Sequence, residues 1–289
     1  MALKHLIGLD HVVVVVRDLD AAAQNWRRLG FTVSPRGAHS AHMGTGNYTI
    51  MLEPDYIELL GVLIETPLNA PTREYVARHE GIERAAFTTA DAALGAGELR
   101  ARGHASTIGP TDFSRPVEMP DGSQSQARFR TFQWPVNERP GGLRIFACQH
   151  LSRETVWIPS LLSHANTATG IDRVEMLSKN PRTAADHMGR LIDRAPEQEA
   201  DGAWRVDTGN GRAPFVFLDR AGLEKRHPGV SLAGLPEEGA AALALQVGDL
   251  AAAARAVGAA GVAGDRNGKK TVTVAPTGAN GVMLELIEG

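Results

Sequence analysis

Along this chain the spacing of apolar residues changes in a fixed order that repeats. In GLDHVVVVVRDLDAA, from Gly8, an apolar and β-branched run reads as a strand, and an alanine-rich stretch with helical spacing follows it. The same order returns in GIERAAFTTADAALGA from Gly81, GIDRVEMLSKNPRTAA from Gly170 and GAAALALQVGDLAAAA from Gly239. Asp18, Asp91 and Asp249 stand where a carboxylate can accept hydrogen bonds from first-turn amides. Asn180 followed by Pro181 is an equivalent start, because proline suits the first helical position. Gly30, Gly103 and Gly261 are placed to close three of the helices in a left-handed conformation.

After each helix come shorter alternating runs broken by turns, such as GNYTIML then DYIELLGV, ARFRTFQW then GLRIFACQ, and KTVTVAP then GVMLELIE. The unit is therefore a strand, a helix and about three strands, too small to bury its own sheet face, so units must pair. This predicts an α+β protein of four βαβββ units in two modules, residues 1–151 and 169–289. Residues 152–168 would link them, with Trp157 and Ile158 packed on the body.

Such paired units, with a histidine on the first strand and a glutamate on the last, resemble the vicinal oxygen chelate superfamily of glyoxalases, extradiol dioxygenases and antibiotic-resistance proteins. The likeness is sharpest over residues 8–61, where GLDHVVVVVRDLDAA, HSAHMGTGN and YIELLGV look like its glyoxalase-like branch. The resemblance implies that each pair of units curls a mixed sheet into a cup, with metal ligands on first and last strands. Carried over, the first-strand positions are His11, Arg84, Arg173 and Ala242, and the last-strand positions are Glu58, approximately Phe146, approximately Phe217, and Glu285. His with Glu survives only in the first pair, which makes the second module degenerate.

His11 and Glu58 would thus be two ligands of a divalent ion, zinc, iron, manganese or nickel, and catalytic through it. Arg84 stands where the family would place the third. His150 at the end of IFACQH replaces it if Phe146 points inward, whereas a slip of one residue selects Gln149. The competing arrangement pairs Arg84 with Glu58 across the cup and leaves no metal, as the mirrored Arg173 and Glu285 suggest. Arg84 has a further role open to it, binding a substrate carboxylate or enolate through its donor fork. In HSAHMGTGN, Asn47 is expected to face the cup more than His39 or His42. The hairpin around Asp121 and Gly122 brings Arg128, Arg130, Phe132 and Trp134, or else the intervening residues, to a cup wall, with Trp134 a candidate substrate contact.

Composition narrows the field further. A net charge of −3 provides no basic excess for nucleic acid. The single cysteine, Cys148, excludes an intrachain disulfide. MALKHLIGLD is too short an apolar stretch to be a secretory signal, so a cytoplasmic protein is expected, and no run approaches the ~20 apolar residues of a membrane span. There is no nucleophile elbow, phosphate loop or dinucleotide fingerprint. The expected partner is a small molecule, with room for a homodimer. The expected function is metal-assisted lyase, isomerase or dioxygenase chemistry, and the alternative is metal-free sequestration of a planar compound.

Overall fold

The computed structural model describes residues 3–289. The first half of the chain runs β1 (Gly8–Val15), α1 (Leu19–Arg28), β2 (Gly37–Ala38), β3 (Thr45–Met51), β4 (Tyr56–Val62), α2 (Ala70–Arg78), β5 (Gly81–Thr88), α3 (Ala92–Ala101), β6 (Ile108–Glu118), β7 (Gln124–Gln133) and β8 (Arg144–His150). The second half runs β9 (Ala168–Leu177), α4 (Pro181–Ile192), β10 (Glu197–Gln198), β11 (Trp204–Val206), β12 (Phe215–Leu218), α5 (Arg220–Arg226), β13 (Gly239–Val247), α6 (Leu250–Val257), β14 (Gly261–Arg266), β15 (Lys269–Val274) and β16 (Met283–Glu288).

Each half builds one eight-stranded sheet, in the orders β2-β3-β4-β1-β5-β8-β7-β6 and β10-β11-β12-β9-β13-β16-β15-β14. Two units join through their first strands, β1 antiparallel to β5 and β9 antiparallel to β13, while each first strand runs parallel to the last strand of its own unit. The edge strands β2 and β6 approach one another, so the first sheet closes almost into a barrel.

Helices α1, α3, α4 and α6 pack on the convex faces, while Tyr75 and Val76 of α2 and Leu223 of α5 pack against concave-face residues. Trp26 of α1, Leu99 of α3, Met188 of α4 and Val257 of α6 join residues of both sheets in one continuous apolar core, with Phe87 and Phe215 meeting across it at 6.1 Å. Burial of each large side chain there contributes about 1.5–3 kcal/mol. Residues between β8 and β9 pack across the first sheet: Val156, Trp157 and Ile158 are buried, and the Trp157 indole donates to the Leu52 carbonyl at 2.9 Å.

The caps form as expected at Asp18, Asp91 and Asp249, each accepting from a first-turn amide. Asn180 makes no side-chain cap bond, and Pro181 opens α4 alone. Gly30 and Gly103 have φ of 87° and 97°. Gly261 does not close a helix: Gly258, with φ 56°, ends α6 first, and Gly261 opens β14 in extended conformation. Among the described residues no helix is long and apolar enough to cross a membrane.

Candidate active site

The concave face of the first sheet gathers the polar residues. On β1, Leu9, Val12 and Val14 enter the core while Val13 and Val15 face the cup. Two residues separate Leu9 from Val12 because the pairing with β5 shifts between Leu9 and His11. This bulge turns Asp10 and His11 into the cup together.

Asp10 is the hub. One of its oxygens, Oδ2, accepts from His11 Nδ1 at 2.7 Å and from His150 Nε2 at 2.8 Å, while Oδ1 accepts from the Thr88 hydroxyl at 2.8 Å. Burial alone would raise this carboxyl, but the pull of His150 and the bonds from both rings reverse that and hold it well below the ordinary carboxylate range. An ionised Asp10 obliges His11 Nδ1 to donate, which leaves Nε2 facing the cup. The Tyr56 ring stacks on His11 at 4.2 Å and holds it flat.

Alternation along β4 sends Tyr56 and Glu58 to the same face while Ile57 and Leu59 enter the core. Glu58 Oε2 lies 3.7 Å from His11 Nε2. Its other oxygen accepts from Asn47 Nδ2 at 2.7 Å and lies 3.9 Å from His39 Nε2. His39 Nδ1 meets the Thr45 hydroxyl at 2.8 Å. Burial, with Arg115 and Arg84 nearby, lowers the His39 pKa against the opposing pull of Glu58, which favours the neutral, ligating form of the ring. Burial pushes the Tyr56 phenol well up, reinforced by Asp10, Cys148 and Glu58, so its hydroxyl stays a donor, 3.5 Å from His11 Nε2.

His11 and Glu58 thus converge. His11 Nε2 and His39 Nε2 approach different oxygens of Glu58, at 3.7 and 3.9 Å, donors of the kind that suit a divalent ion, with the His11 ring oriented by a carboxylate behind it. Asp10, Cys148 and His150 also offer donor atoms within 4.8 Å of one another. That set fits an ion less well, because the Asp10 oxygen is already shared by two rings and burial pushes the Cys148 thiol well up, keeping its proton.

Other expected residues sort differently. His150 faces the cup on the same side as Phe146 and Cys148, but its Nε2 is engaged by Asp10 rather than set beside Glu58. Gln149 points away and ties the start of α3, accepting from the Ala92 amide and donating to the Ala90 carbonyl. Arg84 does not pair with Glu58: it donates to the neighbouring Glu83 and, at 3.0 Å, to Thr72, while Arg144 holds the other oxygen of Glu83 at 3.2 Å. An arginine so occupied has little of its fork left for a substrate. Trp134 is no cup wall: it lies in the interlayer core, 2% exposed, its indole donating to the Leu191 carbonyl at 3.0 Å. The pleat of β7 sends Phe132 with it to the core and gives the cup Ala127 and Phe129 instead. Phe217 likewise faces the core, and Val216 and Leu218 line the second cup.

That second cup is filled by charge. Arg173 donates to Glu285, as the mirrored pair predicts, and to Glu175 at 2.8 Å. Glu175 also lies within 3.2 Å of Arg226, 3.1 Å of Arg266 and 2.7 Å of His227. It stands where the first module has Val13, so a carboxylate replaces a valine and recruits three arginines and a histidine. A cavity of about 470 Å³ over this module, between α4 and α5, holds none of the first cup's donors.

Asp10 and Arg115 were not singled out from sequence, and His39, which the sequence ranks behind Asn47, approaches Glu58 as Asn47 does. A signal for Asp10 was present, since Asp10, Glu83 and Asp172 each precede the first-strand position of their unit.

The chain matches the family described as a glyoxalase-like domain over residues 9–192. No curated protein matches it in sequence. Among solved structures it is similar to a hypothetical protein from Staphylococcus aureus (13% identity, 96% of this chain and 98% of that chain covered, TM-score 0.67). It is also similar to a mutant 4-hydroxymandelate synthase from Streptomyces coelicolor (15%, 99% and 93%, TM-score 0.61). A third is the Mn(II)-bound glyoxalase from Novosphingobium aromaticivorans (11%, 98% and 82%, TM-score 0.55). At these identities the likeness is one of fold.

Proposed function

Because the chain belongs to the glyoxalase-like domain family of the vicinal oxygen chelate superfamily, we propose that its first cup is an active site for metal-assisted chemistry on a small substrate with two adjacent oxygens, of lyase, isomerase or dioxygenase type. The observation that carries this reading is the approach of His11 Nε2 to Glu58 Oε2, 3.7 Å, inside one concave sheet. His11 and Glu58 would hold the ion and His39 would complete the set. When bound, a divalent ion supplies Lewis-acid polarisation of a coordinated oxygen and open positions for the substrate.

The chain's own groups do the rest. Asp10 fixes the His11 ring and turns its Nε2 toward the cup. His150 shares that carboxylate and holds it in place. Tyr56, kept protonated by burial, presents a hydroxyl beside His11 that can donate to a developing oxyanion. Phe113, Phe129 and Trp157 exclude water from the wall.

The test is metal content of protein purified without chelator or nickel affinity resin. Stoichiometric manganese, iron, zinc or nickel that is lost in both His11→Ala and Glu58→Gln supports the reading. A metal-free protein, or metal retained in both variants, overturns it and leaves a binding cup without metal chemistry.

A further inference from the structure

Arg115 lies on β6 opposite Ala127 of β7, a residue of the cup lining. Its side chain packs over Gly37, where even a Cβ would sit 3.3 Å from Arg115 Cδ and Nη1. Among the described residues, no carboxylate lies within ion-pair distance of its guanidinium and no hydrogen bond holds it. Every other arginine facing either cup is tied: Arg84 and Arg144 to Glu83, and Arg173, Arg226 and Arg266 to Glu175. Arg115 feels Glu58 and Tyr56 only at a distance.

A half-buried guanidinium without a counter-ion is costly, and a fold that ties its other buried arginines leaves this one for something else. Arg115 also lines a cavity of about 230 Å³ with Thr49, Val117, Val156, Ile158 and Leu161. Thr49 pairs with Glu58 across β3 and β4, so this cavity adjoins the cup. Its volume is below the roughly 300–1,000 Å³ of sites for drug-sized ligands. Its walls are mixed: Val117, Val156, Ile158 and Leu161 make one aliphatic side, while Arg36 and Glu118 add a charge of each sign. Phe113, stacked on Phe129 at 4.7 Å, lies two residues along the strand on the same face as Arg115.

We propose that Arg115 is the anion anchor of the cup and that the substrate class is a small, largely apolar carboxylate, held bidentately by the guanidinium with its hydrocarbon part against Val117, Val156 and Leu161. The proposal places the substrate in the site described above and rests on that reading for location, but carboxylate binding needs no metal. A planar fork recognises two oxygens of one group. The neutral amide of the same shape offers one acceptor and no charge, so the site discriminates between the two.

Isothermal titration calorimetry of the full chain with benzoate and hexanoate, against benzamide and hexanamide, tests this. It is run on chelator-treated protein and again with Mn(II) added, for the natural chain, Arg115→Gln and Arg115→Lys, with circular dichroism confirming the fold of each variant. At least one carboxylate should bind, roughly tenfold to hundredfold more tightly than its amide, as expected for hydrogen bonds to a charged group. Arg115→Gln should lose that preference, Arg115→Lys should keep part of it, and Mn(II) binding should not weaken in either. Equal binding of acid and amide, no binding of either acid, or an unchanged preference in Arg115→Gln overturns the proposal. Arg115-dependent carboxylate binding without Mn(II) binding would sustain the anchor while removing the metal reading. Mn(II) binding with no acid preference would do the reverse.

Discussion

Asp55, in the turn between β3 and β4, crosses from the first sheet to the second: both its oxygens accept from the Ile171 amide, at 3.0 and 3.2 Å, and it is 2% exposed. Burial raises this carboxyl most. The Ile171 amide and Arg212 pull it down, Asp10 pushes it up, and the balance carries it from 3.8 to about 7. A carboxyl with a raised folded-state pKa binds its proton more tightly when folded. Its contribution to stability is therefore complete below the unfolded pKa and is lost as pH rises through about 7. A rise of roughly three units, at about 1.4 kcal/mol each, bounds that loss at roughly 4 kcal/mol. Asp55→Asn keeps an acceptor for Ile171 and cannot ionise. In urea denaturation at fixed ionic strength, the stability difference between variant and natural chain should climb between pH 4.5 and 8 in favour of the variant, while other titrating groups cancel. A difference that stays flat with pH, or that turns against Asn at alkaline pH, would refute the argument that burial governs this carboxyl.

Asp10→Asn should cost about 10- to 100-fold in divalent-ion affinity, measured by competition with a chromophoric chelator, because the His11 ring loses the carboxylate that orients it. Glu175→Gln should destabilise the fold by about 3–5 kcal/mol in chemical denaturation, since it leaves the buried Arg173 and its neighbours short of a counter-charge. Trp134→Ala should cost about 3–5 kcal/mol for the core cavity it creates, yet leave Mn(II) affinity of the folded protein unchanged, in keeping with its place away from the cup. Asp18→Ala should cost about 1 kcal/mol in thermal or urea unfolding through loss of the α1 cap.

What the residues alone determined is local and periodic. Four strand-to-helix starts, three of their caps and the need for units to pair followed from spacing and from chemistry within a few positions. The convergence of His11 with Glu58 followed from the resemblance added to that pattern. Even the choice of His150 over Gln149 for the cup face was a parity argument, because a strand's two faces alternate without reference to anything distant.

What only the tertiary structure decided depends on bulges and on competition between charges. A single extra residue between Leu9 and Val12 turned Asp10 inward beside His11, and strict alternation would have put it in the core. Trp134 left the cup because the pleat of β7 is set by its register with β6 and β8, which no local pattern specifies. Arg84 left Glu58 because Glu83 stands adjacent and Arg144 arrives from β8 to share it, leaving the first cup's glutamate available while the second cup's is consumed. A buried ion takes whichever partner the assembled sheet brings nearest, and that distance exists only once strands far apart in the chain have paired.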